Sequence, residues 1–200
     1  MMEYGFYAMI SRMKLIERWA LMRNAISENI CEHSLEVSVL AHALAVISNE
    51  RLGNNLNGEK AALIAIYHDA TEIITGDMPT PIKYFNENIQ GAFKAVEQAA
   101  ADRLLTMLPA DIKKSYESIF NPKEDELYLW KLVKAADKLS ALIKCIEERK
   151  AGNTEFYSAE KSIHNILASM KMKEVEIFMQ EFLPAYDKNL DELNLGQSEL

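Results

Sequence analysis

Apolar side chains three and four residues apart recur along almost the whole chain, and this period constrains the fold more than any other feature of the sequence. Leu35, Val39, Leu44 and Ile47 follow it, as do Ile89, Phe93, Val96, Ala100, Leu104 and Met107. Strands would instead require alternating runs of β-branched residues bounded by turns, and none is visible. Only 7 Gly and 5 Pro punctuate 200 residues, so the helices can be long. The breaks that exist fall between periodic runs. Gly53 to Gly58 forms one, and Gly76 through Pro79 and Pro81 another, because proline disfavours helical geometry in its predecessor. Pro109 and Pro122 stand where helices should start. The spacing predicts helices over 5–18, 29–52, 58–75, 86–107, 110–119, 123–150 and 154–182. The expected architecture is all-α, a single compact multi-helix domain over residues 1–188 followed by a loosely held tail, 189–200.

A formal charge of −8 and a pI near 5.1 work against long nucleic acid, whose backbone rewards clustered Lys and Arg. A small phosphorylated molecule stays open, since one or two arginines aimed into a pocket can hold one phosphate. Two cysteines, Cys31 and Cys145, and a start without a basic, apolar and small-residue succession point to a reducing cytoplasm. Ser11, Arg12 and Lys14 interrupt the apolar stretch from Phe6 to Ile16. No run approaches the roughly 20 uninterrupted apolar residues that span a bilayer, so no membrane span is expected.

The chemistry-bearing residues stand out because they share faces with the expected core. His33 lies on one face with Val37, Leu40, Leu44 and Ile47, so its imidazole points inward near a helix N-terminus. His68 has Ala61, Ile64 and Ala65 on its inward side, and Asp69 follows it. Neighbours on a helix diverge by about 100°, yet both can reach one ion lying against the helix. Glu72 is one turn beyond His68 on the same face. Asp137 follows Trp130 and Val133 by helical offsets, which turns its carboxylate toward apolar neighbours. A buried carboxylate is tolerable when Arg, Lys or a metal compensates it. Two imidazoles and two carboxylates suit zinc, manganese, iron or cobalt. Taken singly, each is more often ordinary: an inward His is commonly a hydrogen-bonded core residue. His42 and His164 lack partners at ligand spacing and read as surface or capping residues, and Cys145 reads as packed. Glu124, Asp125 and Glu126 suit the first turn of a helix.

A His, then His-Asp 35 residues later, then Asp 68 further on is the ligand order of the HD-domain phosphohydrolases, which this sequence resembles. The runs Ser27 to Leu35, Tyr67 to Glu72 and Thr75 to Phe85 are similar to those of the bacterial HD-domain 5′-deoxynucleotidases, as are Ile16 to Trp19 and Ala135 to Asp137. The resemblance extends from about residue 8 to about residue 190. It implies an HD-domain fold, hydrolysis of deoxyribonucleoside 5′-monophosphates, one divalent metal ion (cobalt, manganese or copper, with zinc also suited) and a homodimer. It implies His33, His68, Asp69 and Asp137 as metal ligands, with Arg18 orienting the phosphate. Trp19 and Asp77, Met78, Pro79 and Thr80 would contact the nucleotide beside Asp69 and Asp137, and Glu72 would activate the attacking water. Cys31 departs from the family pattern, where a smaller or hydroxylated residue is more usual.

Some of these residues have plain alternatives. Arg18 read alone pairs with a surface Glu in the first helix, Trp19 is a core anchor, and Asp77 is a turn residue. Beside Arg18, Trp19 could instead lie against the sugar and exclude a further hydroxyl. Arg18 is the chief cation the motifs offer to the phosphate, with Lys83 and Arg23 as candidate auxiliaries. Other readings of the whole chain are an HD-type enzyme acting on a cyclic or triphosphorylated nucleotide, or a nucleotide-binding regulator without turnover. For the dimer face, the 86–107 helix and the final long helix are both candidates.

Overall fold

The computed structural model describes residues 3–83 and 85–194, the side chains of 80, 81 and 194 excepted. Its centre is helix α2 (Ile30–Leu52), and the sequence fixes both ends of it. The Asn29 side chain accepts from the Cys31 and Glu32 amides while the Glu32 carboxylate accepts from the Asn29 amide, a reciprocal cap for otherwise unpaired donors. Gly53 closes the helix at φ 72°, a left-handed conformation that side chains resist. The inward face of α2 buries Val37, Ala41, Leu44 and Ala45 completely.

Helix α3 (Gly58–Tyr67) lies along α2 through Ala61, Ile64 and Ala65, where alanine lets the backbones approach closely. Helix α8 (Leu127–Lys150) packs across both through Leu132, Ala135, Ala136, Leu139 and Ile143. A second, smaller core gathers Phe6, Met13, Ile30, Ala70, Leu104 and Leu105 beneath α1 (Phe6–Ile10) and α6 (Glu87–Thr106). Among the described residues there is no strand, only one isolated antiparallel bridge between Glu17 and Asn29.

Several helices are shorter than the periodicity predicts. The first ends at Ile10 and tightens into a 3-10 turn, Ser11–Leu15. Ile16 is extended, and the Ile30 amide donates to its carbonyl, so Arg18 and Trp19 stand on a loop and not on a helix. The run expected over 58–75 stops at Tyr67; an irregular turn carries His68 to Thr71 before α4 (Glu72–Thr75), and α5 (Thr80–Lys83) follows Gly76. The run expected over 154–182 divides into a 3-10 turn, Thr154–Phe156, then α9 (Tyr157–Ser169) and α10 (Lys173–Glu181), parted where Lys171 adopts φ 52°. The remaining elements are α7 (Ala110–Phe120), with Pro109 as its cap, a 3-10 turn, Glu124–Glu126, leading into α8, and another, Leu183–Asp187. Part of the expected tail is helical, α11 (Leu190–Asn194); residues 195–200 lie outside the described range.

The faces also need correcting. Leu35 and Val39 point outward, at 64% and 62% exposed, and Ile89 and Val96 are exposed too, because α2 and α6 are apolar on more than their core sides. That makes α2, among the described residues, the one helix long and apolar enough to cross a membrane. It is instead the central packing element, touching α3, α8 and α10.

Candidate metal centre

Four side chains from three places in the chain converge where α2, the end of α3 and the middle of α8 meet. His33 Nε2 lies 3.5 Å from Asp69 Oδ2 and 3.2 Å from Asp137 Oδ1, and His68 Nε2 lies 3.1 Å from Asp69 Oδ2. The break in α3 makes this arrangement: His68 ends the helix and Asp69 leaves its geometry, so adjacent residues aim at one point.

The hydrogen-bond partners of both imidazoles fix which nitrogen is free. His68 Nδ1 is 2.7 Å from the Ala65 carbonyl, which can only accept, so Nδ1 carries the proton. His33 Nδ1 is 3.0 Å from Ser140 Oγ, and that hydroxyl spends its one proton on Glu36 Oε2 at 2.6 Å. Ser140 therefore accepts from His33. Both Nε2 atoms are left as buried lone pairs with no hydrogen-bond partner, facing carboxylate oxygens.

Burial, then the nearby Arg18 cation, keep His33 below the usual imidazole range and so neutral. Burial opposes charge on His68 as well, but the Asp69 and Asp137 carboxylates outweigh it and raise that group. Burial likewise opposes ionisation of Asp69, yet the charge that His68 acquires beside it holds it far down; the Lys138 ammonium does the same for Asp137. A proton on His68 relieves one contact. For His33, only a cation seated among these atoms turns repulsion between lone pair and carboxylate into attraction, and the donor set suits a divalent ion.

Around this cluster lie the other predicted residues. Arg18 Nη1 donates to Glu28 at 2.7 Å, and Nη2 is 3.9 Å from Asp137, so Arg18 faces the site and its partner is Glu28, not a residue of the first helix. Trp19 Nε1 donates to the same Glu28 oxygen at 3.1 Å, its ring packs against Phe156 and its backbone sits at φ 58°. Glu72 is buried, its Oε2 unpartnered, and burial with Asp69 and Asp77 nearby pushes it up to about 9. Burial also raises Asp77, while the charge of Arg18 works in the other direction. Met78 and Pro79 are half-buried; the Thr80 side chain and Tyr84 fall outside what is described. Lys83 pairs with Glu97 at 2.7 Å and Arg23 is exposed. His42 and His164 are on the surface and Cys145 is buried, as expected.

Sequence reasoning missed Ser140, Glu36 and Glu28. The first two were findable, since Glu36 follows His33 by three and Ser140 follows Asp137 by three, the spacing of helical neighbours.

The helical array around such a cluster is shared with solved HD-domain phosphohydrolases. One from Listeria innocua superposes with a TM-score of 0.78 over 96% of this chain and 94% of its own at 24% identity. Another, DatZ of cyanophage S-2L, solved with dA and one catalytic Zn2+ ion, gives a TM-score of 0.63 over 94% of this chain and 100% of its own at 20% identity. The fold is that of the HD-domain phosphohydrolases. Within that class, the family model described as 5′-deoxynucleotidase YfbR-like matches residues 5–186. A 5′-deoxynucleotidase of Erwinia tasmaniensis is 44% identical over 194 residues, covering 97% of this chain and 98% of its own. One of Shewanella oneidensis is 46% identical over 188 residues, covering 94% and 96%. The chain belongs to the YfbR-like 5′-deoxynucleotidase family.

Proposed function

We propose that this chain is a metal-dependent 5′-deoxynucleotidase, hydrolysing a deoxyribonucleoside 5′-monophosphate with water to the deoxynucleoside and orthophosphate. One observation carries the site: two buried imidazole Nε2 atoms without hydrogen-bond partners, turned toward two carboxylates. His33, His68, Asp69 and Asp137 would hold one divalent ion, with cobalt, manganese, copper and zinc all suited to the donors. Such an ion supplies positive charge that acidifies water and draws electron density from a phosphoryl oxygen.

The chain's own residues do the rest. Arg18 offers planar paired donors to the phosphate, and the carboxylate of Glu28 holds that plane in place. Glu72 stands beside the cluster with an unpartnered oxygen, and the charge of a bound ion would offset the burial and the Asp69 and Asp77 carboxylates that now keep it protonated, so that it could receive the proton of the attacking water. Trp19, with Asp77, Met78, Pro79 and Thr80 and the site faces of Asp69 and Asp137, lines the nucleotide. The Trp19 ring, fixed by Phe156 and Glu28, stands against the sugar and disfavours a second hydroxyl. The family match over 5–186 supports one catalytic unit, residues 1–188, with 189–200 as an appendage. Outward apolar residues on α2 and α6 support a homodimer. Two free thiols and the acidic charge support a cytoplasmic protein without long nucleic acid as a partner.

The test is phosphate release from dAMP and AMP by protein stripped of metal and resupplied with cobalt, manganese, magnesium or zinc, alongside Asp137→Ala. The expected result is metal-dependent release that is faster from dAMP and absent in the variant. No release from either nucleotide with any metal would sink the reading.

A further inference from the structure

Eleven residues beyond Asp137, roughly 16 Å farther along α8, a buried polar cluster grips the loop that carries Arg18 and Trp19. Glu148 is completely buried, and its carboxylate accepts from the Ala25 amide at 2.8 Å and the Ile26 amide at 3.1 Å. Lys144, also buried, donates to Glu148 and to the Ile26 carbonyl. Asn153 Nδ2 donates to Glu148 Oε2 at 2.7 Å and to the Arg23 carbonyl at 2.6 Å. Phe156 joins this cluster to Trp19: its ring is 5.3 Å from the indole and 5.7 Å from the Lys144 ammonium. Loops seldom command a buried ion pair, because desolvating both charges costs more than most loop contacts return. Here both peptide groups of the loop's far end are satisfied by one charged pair, and none of these side chains touches the four clustered His and Asp residues.

We infer that Glu148, with Lys144 and Asn153, is a positioning residue that sets the Arg18–Trp19 loop against the nucleotide and so determines affinity and the choice between deoxyribose and ribose. This rests on the 5′-deoxynucleotidase reading. Misplacing an orienting group by an ångström is felt at the substrate, while a site 16 Å or so away along a rigid helix keeps its metal.

The experiment compares wild type, Glu148→Gln and Asn153→Asp. Gln keeps the shape but replaces one acceptor by a donor and removes the carboxylate charge opposite Lys144; Asp keeps the Asn153 oxygen that caps Glu155 and turns its donor into an acceptor. For each, KM and kcat for dAMP and AMP are measured, with Co2+ binding by calorimetry. Losing a charge-assisted bond corresponds to about a tenfold change or more. KM for dAMP should rise by about that factor and the dAMP preference over AMP should fall, with Co2+ affinity unchanged. A merely structural role lowers the active fraction and kcat alone, leaving KM and the preference intact, and that result overturns the inference, as does a parallel loss of Co2+ affinity. Should Glu148→Gln not fold, Asn153→Asp decides. Wild type inactive on dAMP with every metal removes the underlying reading and this inference with it; active wild type with unaltered variants removes this inference alone.

Discussion

Ser140 does for His33 what the Ala65 carbonyl does for His68: it accepts the Nδ1 proton and leaves Nε2 free. The difference is that a side chain can be removed. Ser140→Ala takes away the acceptor and strands Glu36, so the imidazole loses both its tautomer and its orientation. Co2+ affinity is expected to fall by about 10- to 100-fold, read by competition with a chromophoric chelator. An unchanged affinity would mean that packing alone orients His33. At this scale the sequence was informative where a polar residue breaks an apolar face. His33 and Asp137 could be singled out because their helical neighbours are apolar. Glu28 could not, since its partners Arg18 and Trp19 meet it through a loop whose path no periodicity encodes.

Helices α2 and α8 carry the two cysteines to opposite fates. Cys31 is exposed in the first turn of α2, whereas Cys145 lies in the core on α8, where burial pushes its thiol up to about 12. A thiol reagent such as DTNB should therefore titrate Cys31 alone in the native protein and Cys145 only on unfolding. Two thiols reacting at once would show that α8 is not packed as described. The elements most legible in the sequence were these long ones, because Asn29, Gly53 and the apolar period agree on their limits. Short interruptions were not legible. The turn at His68 to Thr71 contains no Gly or Pro, and Lys171 reaches a left-handed conformation without either, so tertiary packing overrides local preference there. Arg18 was misplaced onto the end of the first helix for a related reason: the bridge from Glu17 to Asn29 depends on residues far apart in sequence.

For the molecule as a whole, an ion held by His33, His68, Asp69 and Asp137 would tie together three segments that are otherwise held by one shared core. An ion bound at 100 times its Kd adds about 2.7 kcal/mol to folding. For a chain of this size that corresponds to about 5–10 °C in Tm. Scanning calorimetry with and without EDTA should show that difference in wild type and none in Asp137→Ala. Equal Tm values in wild type would mean that no ion bridges the segments. The core itself was readable as a set of inward faces around His33, His68 and Asp137; its boundaries were not, since α2 and α6 have apolar residues on outward faces too.

The backbone of Trp19 sits at φ 58°, where any side chain but glycine is strained and a bulky one most of all. On conformational grounds alone, glycine or asparagine would occupy that turn at a lower cost, by about 1 kcal/mol or more. On the proposed function, the place of the indole against the sugar outweighs that cost, a conflict between folding and turnover resolved in favour of turnover. On that reading, a lineage of this chain freed from its substrate would drift away from tryptophan at position 19 while keeping the helices that surround it.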